Sequence, residues 1–376
     1  MKLRPITELT DIYGMRVLVR ASLDVPLSAD GHIEDHFRIS RAVATFSYLI
    51  DRGARVIILT HLGRDPKNSI KPLCDVLQKY IPIQYVDDVV GEKALGAVTN
   101  MKEGTALMLE NLRSCDGETK NDDAFAQTLA SYGYFYVNDA FAVSHRAHAS
   151  IVGIPKYLPS FAGITFMEEY EALSKAFVPE APSLFILGGA KFETKEPLID
   201  AYTHDYTNTF IGGALANDFL KGQGYEVGTS LLSANDIAGH ALLLREGILL
   251  PVDVIAVSGG KKRIADIGAV QKDECILDAG PKTIEMLAPY IKNAKTILWN
   301  GPLGNYEGGY ADATKACAEC IAESNAFSIV GGGDTIASIE SLGLQDDFGF
   351  LSTAGGAMLD FLEHRTLPGI EAMTKK

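Results

Sequence analysis

Short apolar runs alternate with stretches of helical periodicity along this chain. In the first half, residues 17–20, 55–60, 106–110 and 134–138 are predicted to be buried strands, and residues 39–52 and 122–132 to be helices. The second half repeats the alternation, with strands predicted at residues 183–187, 209–213, 253–257, 296–299 and 327–330. This pattern predicts an α/β fold with doubly wound parallel sheets, whose ligands bind beyond the carboxyl ends of the strands.

The length of 376 residues favours two domains rather than one core. A helix predicted at residues 166–177 is followed by Pro179-Glu-Ala-Pro182, which is typical of a domain junction. We therefore expect a first α/β domain at residues 1–165, an interdomain helix and linker at residues 166–182, and a second α/β domain at residues 183–358. Residues 359–376 form a separate C-terminal segment.

Polar and basic residues follow each predicted strand of the first half. Taken one at a time, such residues are usually solvated surface charges or structural hydrogen-bonding groups. Four successive strands that end this way predict a basic pocket for a small molecule with several negative charges. The residues are Ser22 and Asp24 after the first strand, His61 and Arg64 after the second, Arg113 after the third, and Asp139, His145 and Arg146 after the fourth, with Arg38 at the start of the first helix.

Two glycine-rich turns lie between strands and helices of the second half, Gly331-Gly-Gly-Asp-Thr335 and Ser352-Thr-Ala-Gly-Gly-Ala357. Such turns let the backbone approach a phosphate group, although each is also typical of an ordinary tight turn. We expect Asp334 and Thr335 to cap the helix predicted at residues 336–341, and Asp334 to supply an oxygen ligand for Mg²⁺. The chain contains neither a Gly-x-x-x-x-Gly-Lys-Ser/Thr loop nor a Gly-x-Gly-x-x-Gly motif after its first strand, which disfavours the corresponding nucleotide-binding classes.

Charge and composition restrict the partners. The net charge of −14 argues against binding to nucleic acid or to an acidic membrane surface. Ten of the thirteen arginines precede residue 166, whereas 25 of the 36 glycines follow it, so each half is predicted to hold a different anion. The amino-terminal residues lack the apolar core of a signal peptide, and we expect a cytoplasmic protein. Cys317 and Cys320 are predicted to lie on one helix rather than to bind metal.

The ordered motifs closely resemble those of phosphoglycerate kinases. They extend over nearly the whole chain and comprise Phe37-Arg-Ile39, Thr60-His-Leu-Gly-Arg64, Leu109-Glu-Asn-Leu-Arg113, Val137-Asn-Asp-Ala-Phe-Ala-Val-Ser-His-Arg-Ala-His-Ala-Ser150, Leu187-Gly-Gly-Ala-Lys191, Ile211-Gly-Gly-Ala214, Gly280-Pro-Lys-Thr283, Leu298-Trp-Asn-Gly-Pro-Leu-Gly304, Gly331-Gly-Gly-Asp-Thr335 and Leu367-Pro-Gly369. The resemblance implies reversible phosphoryl transfer between ATP and 3-phosphoglycerate, giving ADP and 1,3-bisphosphoglycerate. It also implies two domains that close by hinge bending, with the C-terminal segment packing back on the first. Small molecules are the expected partners, and we expect a monomer.

The resemblance also implies roles for individual residues. Substrate binding is expected from Ser22, Leu23, Asp24, Arg38, His61, Leu62, Gly63, Arg64, Arg113 and Arg146. Nucleotide binding is expected from Gly189, Lys191, Lys195, Gly213, Asn300, Glu307, Gly332, Gly333, Asp334 and Thr335, with Asp334 also holding the Mg²⁺ that accompanies ATP or ADP. Arg38, Lys191, Gly355 and Gly356 are the expected catalytic residues.

Three motifs depart from the family pattern. The first-strand motif of the family, Arg-Val-Asp-Phe-Asn-Val-Pro, reads Arg20-Ala-Ser-Leu-Asp-Val-Pro26 here, so that the acid has moved from position 22 to Asp24. Residues two apart in an extended chain share a face, and the acid is expected to line the same pocket. Ala214 and Ala354 replace family glycines, which matters only where φ is positive or a ligand approaches closely.

Two alternatives to an active phosphoglycerate kinase stay open at this point. One is a catalytically silent nucleotide-binding protein of the same fold, and the other is a kinase for a different small acid. Retention of Arg38, Lys191, Lys195 and Asp334 argues against the first. The exchange at Ser22 and Asp24 is the feature that favours either alternative.

Overall fold

Parallel strands that alternate with helices form two separate sheets in a computed structural model, which describes residues 3–26, 28, 33, 37–234 and 237–374. The chain divides into a first unit, Met1–Glu171 with Thr366–Lys376, and a second unit, Ala172–Arg365. Both main sheets are entirely parallel, as the alternation predicts. None of the helices in the described part of the chain has the length and apolar character to span a bilayer.

The sheet of the first unit has the strand order β3-β4-β2-β1-β5-β6. Apolar residues on both faces of β1 explain its central place: Val17 and Val19 pack in one core cluster and Leu18 in another. Helices therefore cover both faces of the sheet. The strands are β1 Arg16–Ala21, β2 Arg55–Leu59, β3 Ile83–Val86, β4 Ala106–Leu109, β5 Phe135–Asp139 and β6 Ser160–Ala162, and the helices are α1 Phe37–Ile50, α2 Lys71–Leu77, α3 Glu92–Thr99, α4 Asp116–Thr119, α5 Asp123–Ser131 and α6 Ile164–Ser174.

The main sheet of the second unit has the order β15-β14-β13-β7-β8-β9, and a smaller antiparallel sheet has the order β11-β10-β12. The smaller sheet is absent from the sequence prediction, which contains only the strand that became β10. The strands are β7 Ser183–Leu187, β8 Asn208–Ile211, β9 Ile248–Leu249, β10 Asp253–Ser258, β11 Lys261–Asp266, β12 Cys275–Ala279, β13 Thr296–Asn300, β14 Phe327–Gly331 and β15 Phe350–Leu351. The helices are α7 Phe192–Asp205, α8 Gly213–Gly222, α9 Pro281–Asn293, α10 Asp312–Ala322, α11 Gly333–Leu342 and α12 Gly356–His364.

The division between the units differs in detail from the expected boundaries. It falls inside α6, between Glu171 and Ala172, whereas the expected junction spans residues 166–182. Helix α12 belongs to the second unit, because Phe361 is buried there beside Phe177. The C-terminal segment that joins the first unit therefore begins at Thr366 rather than at residue 359, and it contains α13, Pro368–Thr374.

Candidate functional site

The first-unit residues predicted to bind an anion follow β1, β2, β4 and β5. These four strands are adjacent in the sheet, in the order β4-β2-β1-β5. Because the strands are parallel, their carboxyl ends meet at one edge, and the residues that follow them collect there. The sequence placed the polar residues correctly at strand ends, and the strand order brings those ends together.

Asp24 is anchored in this edge. Its Oδ1 accepts a hydrogen bond from the backbone N–H of Gly63 at 2.7 Å, and its Oδ2 lies 3.5 Å from Nε2 of His61. Burial tends to raise the pKa of Asp24, but the contacts from His61 and Gly63 outweigh it and lower the pKa to about 2. The side chain is 39% exposed, so an ionised carboxylate faces the pocket.

His61 is buried and its tautomer follows from its neighbours. Nη2 of Arg20 lies 2.8 Å from Nδ1 of His61. Arginine can only donate, so Nδ1 is the acceptor and the ring proton is on Nε2, facing Asp24. Burial, aided by the charges of Arg20 and Arg113, lowers the pKa of His61 to about 4 despite the opposing effect of Asp24. At neutral pH His61 is therefore a neutral donor of one N–H.

Several guanidinium groups add positive charge at the same edge. Arg113 donates through Nη1 to the carbonyl of Gly63, and Arg38 donates through Nη1 to the carbonyl of Asp24 at 2.8 Å. Burial and the fields of Arg20, Arg113 and Arg146 lower the pKa of His148 to about 4. Burial and the positive charges of Arg146 and Arg64 lower the pKa of Arg113. The predicted basic cluster is therefore present in the first unit.

Other predicted residues of the first unit differ in what they can offer. Ser22 is partly exposed, and Arg64 and Arg146 are exposed. Leu23 and Leu62 are at most 1% exposed and pack in the hydrophobic core, so only their backbones are available to a ligand.

Two further polar residues at or after the end of β5 make local hydrogen bonds. The carboxylate of Asp139 accepts hydrogen bonds from Thr165 Oγ1 and from the N–H of Phe166 at the start of α6. His145 accepts one from Nε of Arg146.

The second-unit loops that follow β7, β8 and β13 touch one another through their backbones. A Cβ atom at Gly188 would lie 2.2 Å from the carbonyl oxygen of Pro302, and one at Gly213 would lie 2.5 Å from the backbone nitrogen of Gly189. Gly213 also has a φ of +61°, a conformation that residues with a side chain rarely adopt. Glycine is therefore required for these loops to converge at the carboxyl edge of the sheet.

A cavity of about 780 Å³ opens at these loops. Its size falls within the range of small-molecule sites. Five of the residues predicted to bind nucleotide line it, namely Gly189, Lys191, Gly213, Glu307 and Asp334. Ala214 also lines it, and neither Ala214 nor Ala354 has a positive φ. Alanine at these two positions therefore introduces no backbone strain.

Two lysines flank the start of α7 in different environments. Lys191 is exposed, and its φ of +68° places a residue with a side chain in the left-handed region. Such conformations are enriched at functional sites. Lys195 is 8% exposed, and its Nζ donates to the carbonyl of Gly188. Burial lowers the pKa of Lys195 to about 8, so it provides a cation that is only weakly solvated beside the glycine loop.

The expected cap of α11 is wrong. The helix begins at Gly333, with Gly332 as the preceding residue at a φ of +101°, and no side chain caps it. Asp334 is therefore in the first helical turn, where its partly exposed carboxylate faces the cavity. Thr335 is fully buried, and its Oγ1 would be 3.4 Å from a Cβ on Gly332.

Seven of the predicted residues lie outside the cavity lining, namely Lys195, Asn300, Gly332, Gly333, Thr335, Gly355 and Gly356. Asn300 is buried at the end of β13, where its amide lies 3.8 Å from Sδ of Met358. Gly355 and Gly356 are at the start of α12, and Cβ atoms added there would meet no other atom within 4 Å. Their backbones face open space, so a ligand can approach them closely.

The sequence analysis missed an apolar wall of this cavity. Its members come from α8, from the chain around residues 231–251 and from the antiparallel sheet, and they include Leu220, Leu231, Pro251, Val254 and Ile276. No motif marks these residues, since isolated apolar side chains are indistinguishable in sequence from core positions. Apolar side chains that line the same cavity as glycine-rich loops are suited to a planar base beside phosphate groups.

The buried carboxylate of Asp278 was also missed. It accepts hydrogen bonds from the N–H groups of Ala279 and Ala313 at 3.0 and 3.2 Å, and it packs against Gly304. Burial raises the pKa of Asp278 to about 7, although these hydrogen bonds oppose the shift. Its place two residues before the motif Gly280-Pro-Lys-Thr283 is the one signal that could have identified it.

The donor set of the cavity fits Mg²⁺ that arrives with a nucleotide. Among the described residues, no three His, Cys, Asp or Glu side chains form a group that could hold a metal ion. Asp334 does offer one carboxylate at the cavity surface. Mg²⁺ in phosphate-transfer sites is typically held by one or two carboxylates, with phosphate oxygens and water completing the shell.

Comparisons with known proteins agree with this geometry. The family model for phosphoglycerate kinase matches residues 6–365. The chain is 42% identical to a phosphoglycerate kinase of Dictyoglomus turgidum over 97% of both proteins, and 39% identical to that of Sinorhizobium fredii over the full length of both. Among solved structures, phosphoglycerate kinase from Coxiella burnetii superposes with a TM-score of 0.87 at 35% identity, covering 100% of this chain and 99% of that one. The enzyme from Pyrococcus horikoshii superposes with a TM-score of 0.85 at 29% identity, covering 99% and 98%. The chain therefore belongs to the phosphoglycerate kinase family, and it is an enzyme that transfers a phosphoryl group between ATP and the carboxyl group of 3-phosphoglycerate.

Proposed function

We propose that the basic edge of the first unit binds 3-phosphoglycerate. The observation that carries this assignment is the collection of guanidinium groups around a neutral, buried histidine at the ends of four adjacent strands. His61, Arg64, Arg113 and Arg146 hold the anionic substrate. Ser22, Asp24, Gly63 and the backbones of Leu23 and Leu62 complete the pocket.

Arg38 is assigned to the phosphoryl group in transfer. The nucleophile is a substrate carboxylate, which is already ionised at neutral pH, so the reaction requires no general base. Catalysis then depends on positioning and on stabilising negative charge, which a guanidinium group can do. The anchor of Arg38 on the carbonyl of Asp24 supports its place at this pocket.

The cavity of the second unit is assigned to the nucleotide. Contacts with the phosphate groups are assigned to Lys191 and Lys195 and to the glycine-rich loops at Gly189, Gly213, Gly332 and Gly333. The presence of Lys191, Gly189 and Gly213 in the cavity lining supports this assignment, and the apolar wall is assigned to the base. Glu307 is assigned to the ribose, Thr335 to the phosphate loop, and Gly355 and Gly356 to backbone contacts with the transferring group. Asn300, which is buried at the end of β13, stays a predicted nucleotide-binding residue.

Asp334 is the residue that would hold Mg²⁺. When bound, the ion would neutralise charge on the phosphate oxygens of ATP or ADP. The net charge of −14 supports small-molecule partners rather than nucleic acid. Hinge bending between the domains, a monomeric state and a cytoplasmic location stay predictions from the sequence.

The variant Arg38→Ala tests the assignment of the transferring group. With Mg-ATP and 3-phosphoglycerate, we expect kcat to fall by about 10³-fold, since an arginine on a transferring phosphoryl contributes on this order. Arg52→Ala, at an exposed position after α1, is the control and should retain wild-type turnover. Normal kcat in the Arg38 variant, with an unchanged melting temperature, would remove Arg38 from the mechanism.

A further inference from the structure

A continuous chain of hydrogen bonds runs beneath the basic edge of the first unit. Oε1 of Glu118 accepts from the hydroxyl of Ser150 at 2.6 Å, and that hydroxyl accepts from Nε of Arg20 at 2.9 Å. Nη2 of Arg20 then donates to Nδ1 of His61 at 2.8 Å. All four residues are 0–1% exposed. The chain connects α4, the segment after β5, strand β1 and the loop after β2.

The donors in this chain all point away from Arg20. Arginine has no acceptor, so the N–H groups that Arg20 directs at Ser150 and His61 fix the direction of both hydrogen bonds. Ser150 must give its own proton to Glu118, and His61 must carry its proton on Nε2. The ring N–H therefore faces Asp24 only while Arg20 keeps its present orientation.

Glu118 supplies the opposite charge that a buried arginine requires. Burial lowers the pKa of Arg20, and the negative charge of Glu118 is the largest of the effects that oppose the lowering. Glu118 also accepts from the N–H of Ser150 at 2.9 Å, which fixes the segment that carries the bridging hydroxyl. His148 lies 3.7 Å from the same carboxylate but is neutral near pH 7, because burial and nearby arginines lower its pKa to about 4. Arg20 is therefore the charged partner of Glu118.

We propose that Glu118 is a positioning residue for the acceptor pocket, acting through Ser150 and Arg20 to hold His61 with its Nε2–H directed to the side of the ring where Asp24 lies. The proposal rests on the assignment of His61 to substrate binding. Glu118 itself touches no substrate, since it is buried behind Ser150.

Two variants interrupt the chain at different points. Glu118→Gln removes the charge and leaves one acceptor oxygen, so the side chain can accept from the N–H or from the hydroxyl of Ser150 but no longer from both through separate oxygens. Ser150→Ala removes only the bridging hydroxyl and keeps the backbone contacts of residue 150 with Glu118 and Tyr136, so it provides a mild test if the first variant folds poorly. The matched control is Ser131→Ala, an exposed serine of α5 whose hydroxyl donates to the carbonyl of Thr128.

The first readout is the tautomer of His61 in ligand-free, ¹⁵N-labelled protein. Long-range ¹H–¹⁵N spectra distinguish protonation at Nε2 from protonation at Nδ1, and a His61→Gln variant assigns the signal. We expect a single Nε2–H tautomer in the wild-type and Ser131→Ala proteins and a mixture in the other two variants. A folded Glu118→Gln or Ser150→Ala protein that keeps the wild-type signal would overturn the proposal.

The second readout is steady-state kinetics with Mg-ATP and 3-phosphoglycerate. We expect the KM for phosphoglycerate to rise about fivefold in both variants and kcat to stay within about twofold of the wild-type value. This is the effect of losing one hydrogen bond that stabilises the bound substrate and the transition state equally. In a His61→Gln background, Ser150→Ala should then change KM no further. An equal rise in that background would show a general structural effect and overturn the proposal. A wild-type KM in His61→Gln alone would instead overturn the substrate role of His61. The tautomer is measured without ligand, so that result can be distinguished from a failure of the positioning role of Glu118.

Discussion

Replacement of Asp24 by asparagine removes a fixed negative charge from the anion pocket while keeping the shape of the side chain. The amide oxygen can still accept from the N–H of Gly63, as Oδ1 does at 2.7 Å. The amide nitrogen takes the place of Oδ2, which lies 3.5 Å from Nε2 of His61. His61 presents its Nε2–H at this point. The variant therefore has two N–H donors side by side, one from the asparagine amide and one from His61, whereas in the wild-type protein the His61 N–H lies beside a carboxylate.

The size of the effect follows from these distances. An anion within hydrogen-bond reach of Nε2, about 2.9 Å, lies at most about 6.4 Å from Oδ2 of Asp24. Two unit charges at that distance repel by roughly 2.6 kcal/mol at an effective dielectric constant of about 20. The side chain is 39% exposed and salt screens it, so about half of this energy should remain. We therefore expect the KM for 3-phosphoglycerate to fall by about tenfold in Asp24→Asn.

The same substitution should cost a little stability. The pKa of Asp24 is lowered from 3.8 to about 2, which corresponds to at most about 2.4 kcal/mol. Solvent screening of the partly exposed carboxylate reduces this to about 1 kcal/mol. Since the folded-state pKa is the lower one, the contribution is present above about pH 4 and is lost as the pH falls toward 2. The variant should thus unfold at a slightly lower urea concentration than the wild-type protein at pH 7. Its free energy of unfolding should also vary less with pH between 4 and 2.

The assay is initial-rate kinetics with phosphoglycerate varied at saturating Mg-ATP and constant ionic strength. Asp51→Asn, which removes an exposed charge after α1, is the control and should leave KM unchanged. An unchanged or higher KM in Asp24→Asn would show that the carboxylate does not oppose the bound anion and would refute the electrostatic reasoning.

Three further predictions concern the second unit. Asp334→Asn should abolish the gain in ADP affinity that Mg²⁺ provides while leaving the KM for phosphoglycerate within about twofold; equal effects on both would limit Asp334 to a role in its helix. Lys195 has a pKa of about 8 in the free protein, and a bound phosphate will raise this pKa. The affinity for Mg-ADP, measured by calorimetry, should therefore be constant below pH 8 and fall above pH 8 by up to about tenfold per pH unit. The nucleotide-free protein should gain stability between about pH 8 and 10.5, since the unfolded lysine binds more protons there; constant affinity up to pH 9.5 would contradict the role of Lys195. Gly213→Ala should destabilise the protein by more than Gly239→Ala. Both glycines have a positive φ, so each substitution should cost about 1 kcal/mol or more, but only at Gly213 would the new Cβ meet backbone, 2.5 Å from the nitrogen of Gly189. Equal melting temperatures for the two variants would contradict the close packing of the loops.

Much of the architecture could be predicted because it is encoded locally. Strands buried on both faces have continuous apolar runs, as in residues 17–19, and these runs identified β1, β2, β4 and β5 along with the central strands of the second sheet. The edge strands β3, β6 and β9 are short, and the periodicity in them is too brief to detect. The antiparallel sheet was missed for a different reason: β11 contains Lys261, Lys262 and Arg263 and is mostly exposed, so its pairing with β10 depends on a partner and not on its own pattern.

The sequence by itself determined the chemistry at the strand ends: which residues follow each strand, which loops are rich in glycine, and the family that these motifs indicate. Only the tertiary structure decided which of these groups face a ligand. It turned the side chains of Leu23 and Leu62 into the core, buried Asn300 beside Met358, and brought Glu118 and Ser150 to Arg20 across long stretches of chain. It also fixed Asp24 between Gly63 and His61. The physical reason is that hydrogen-bond direction, desolvation and charge depend on distances between segments that are remote in sequence, and those distances exist only after the sheets have packed.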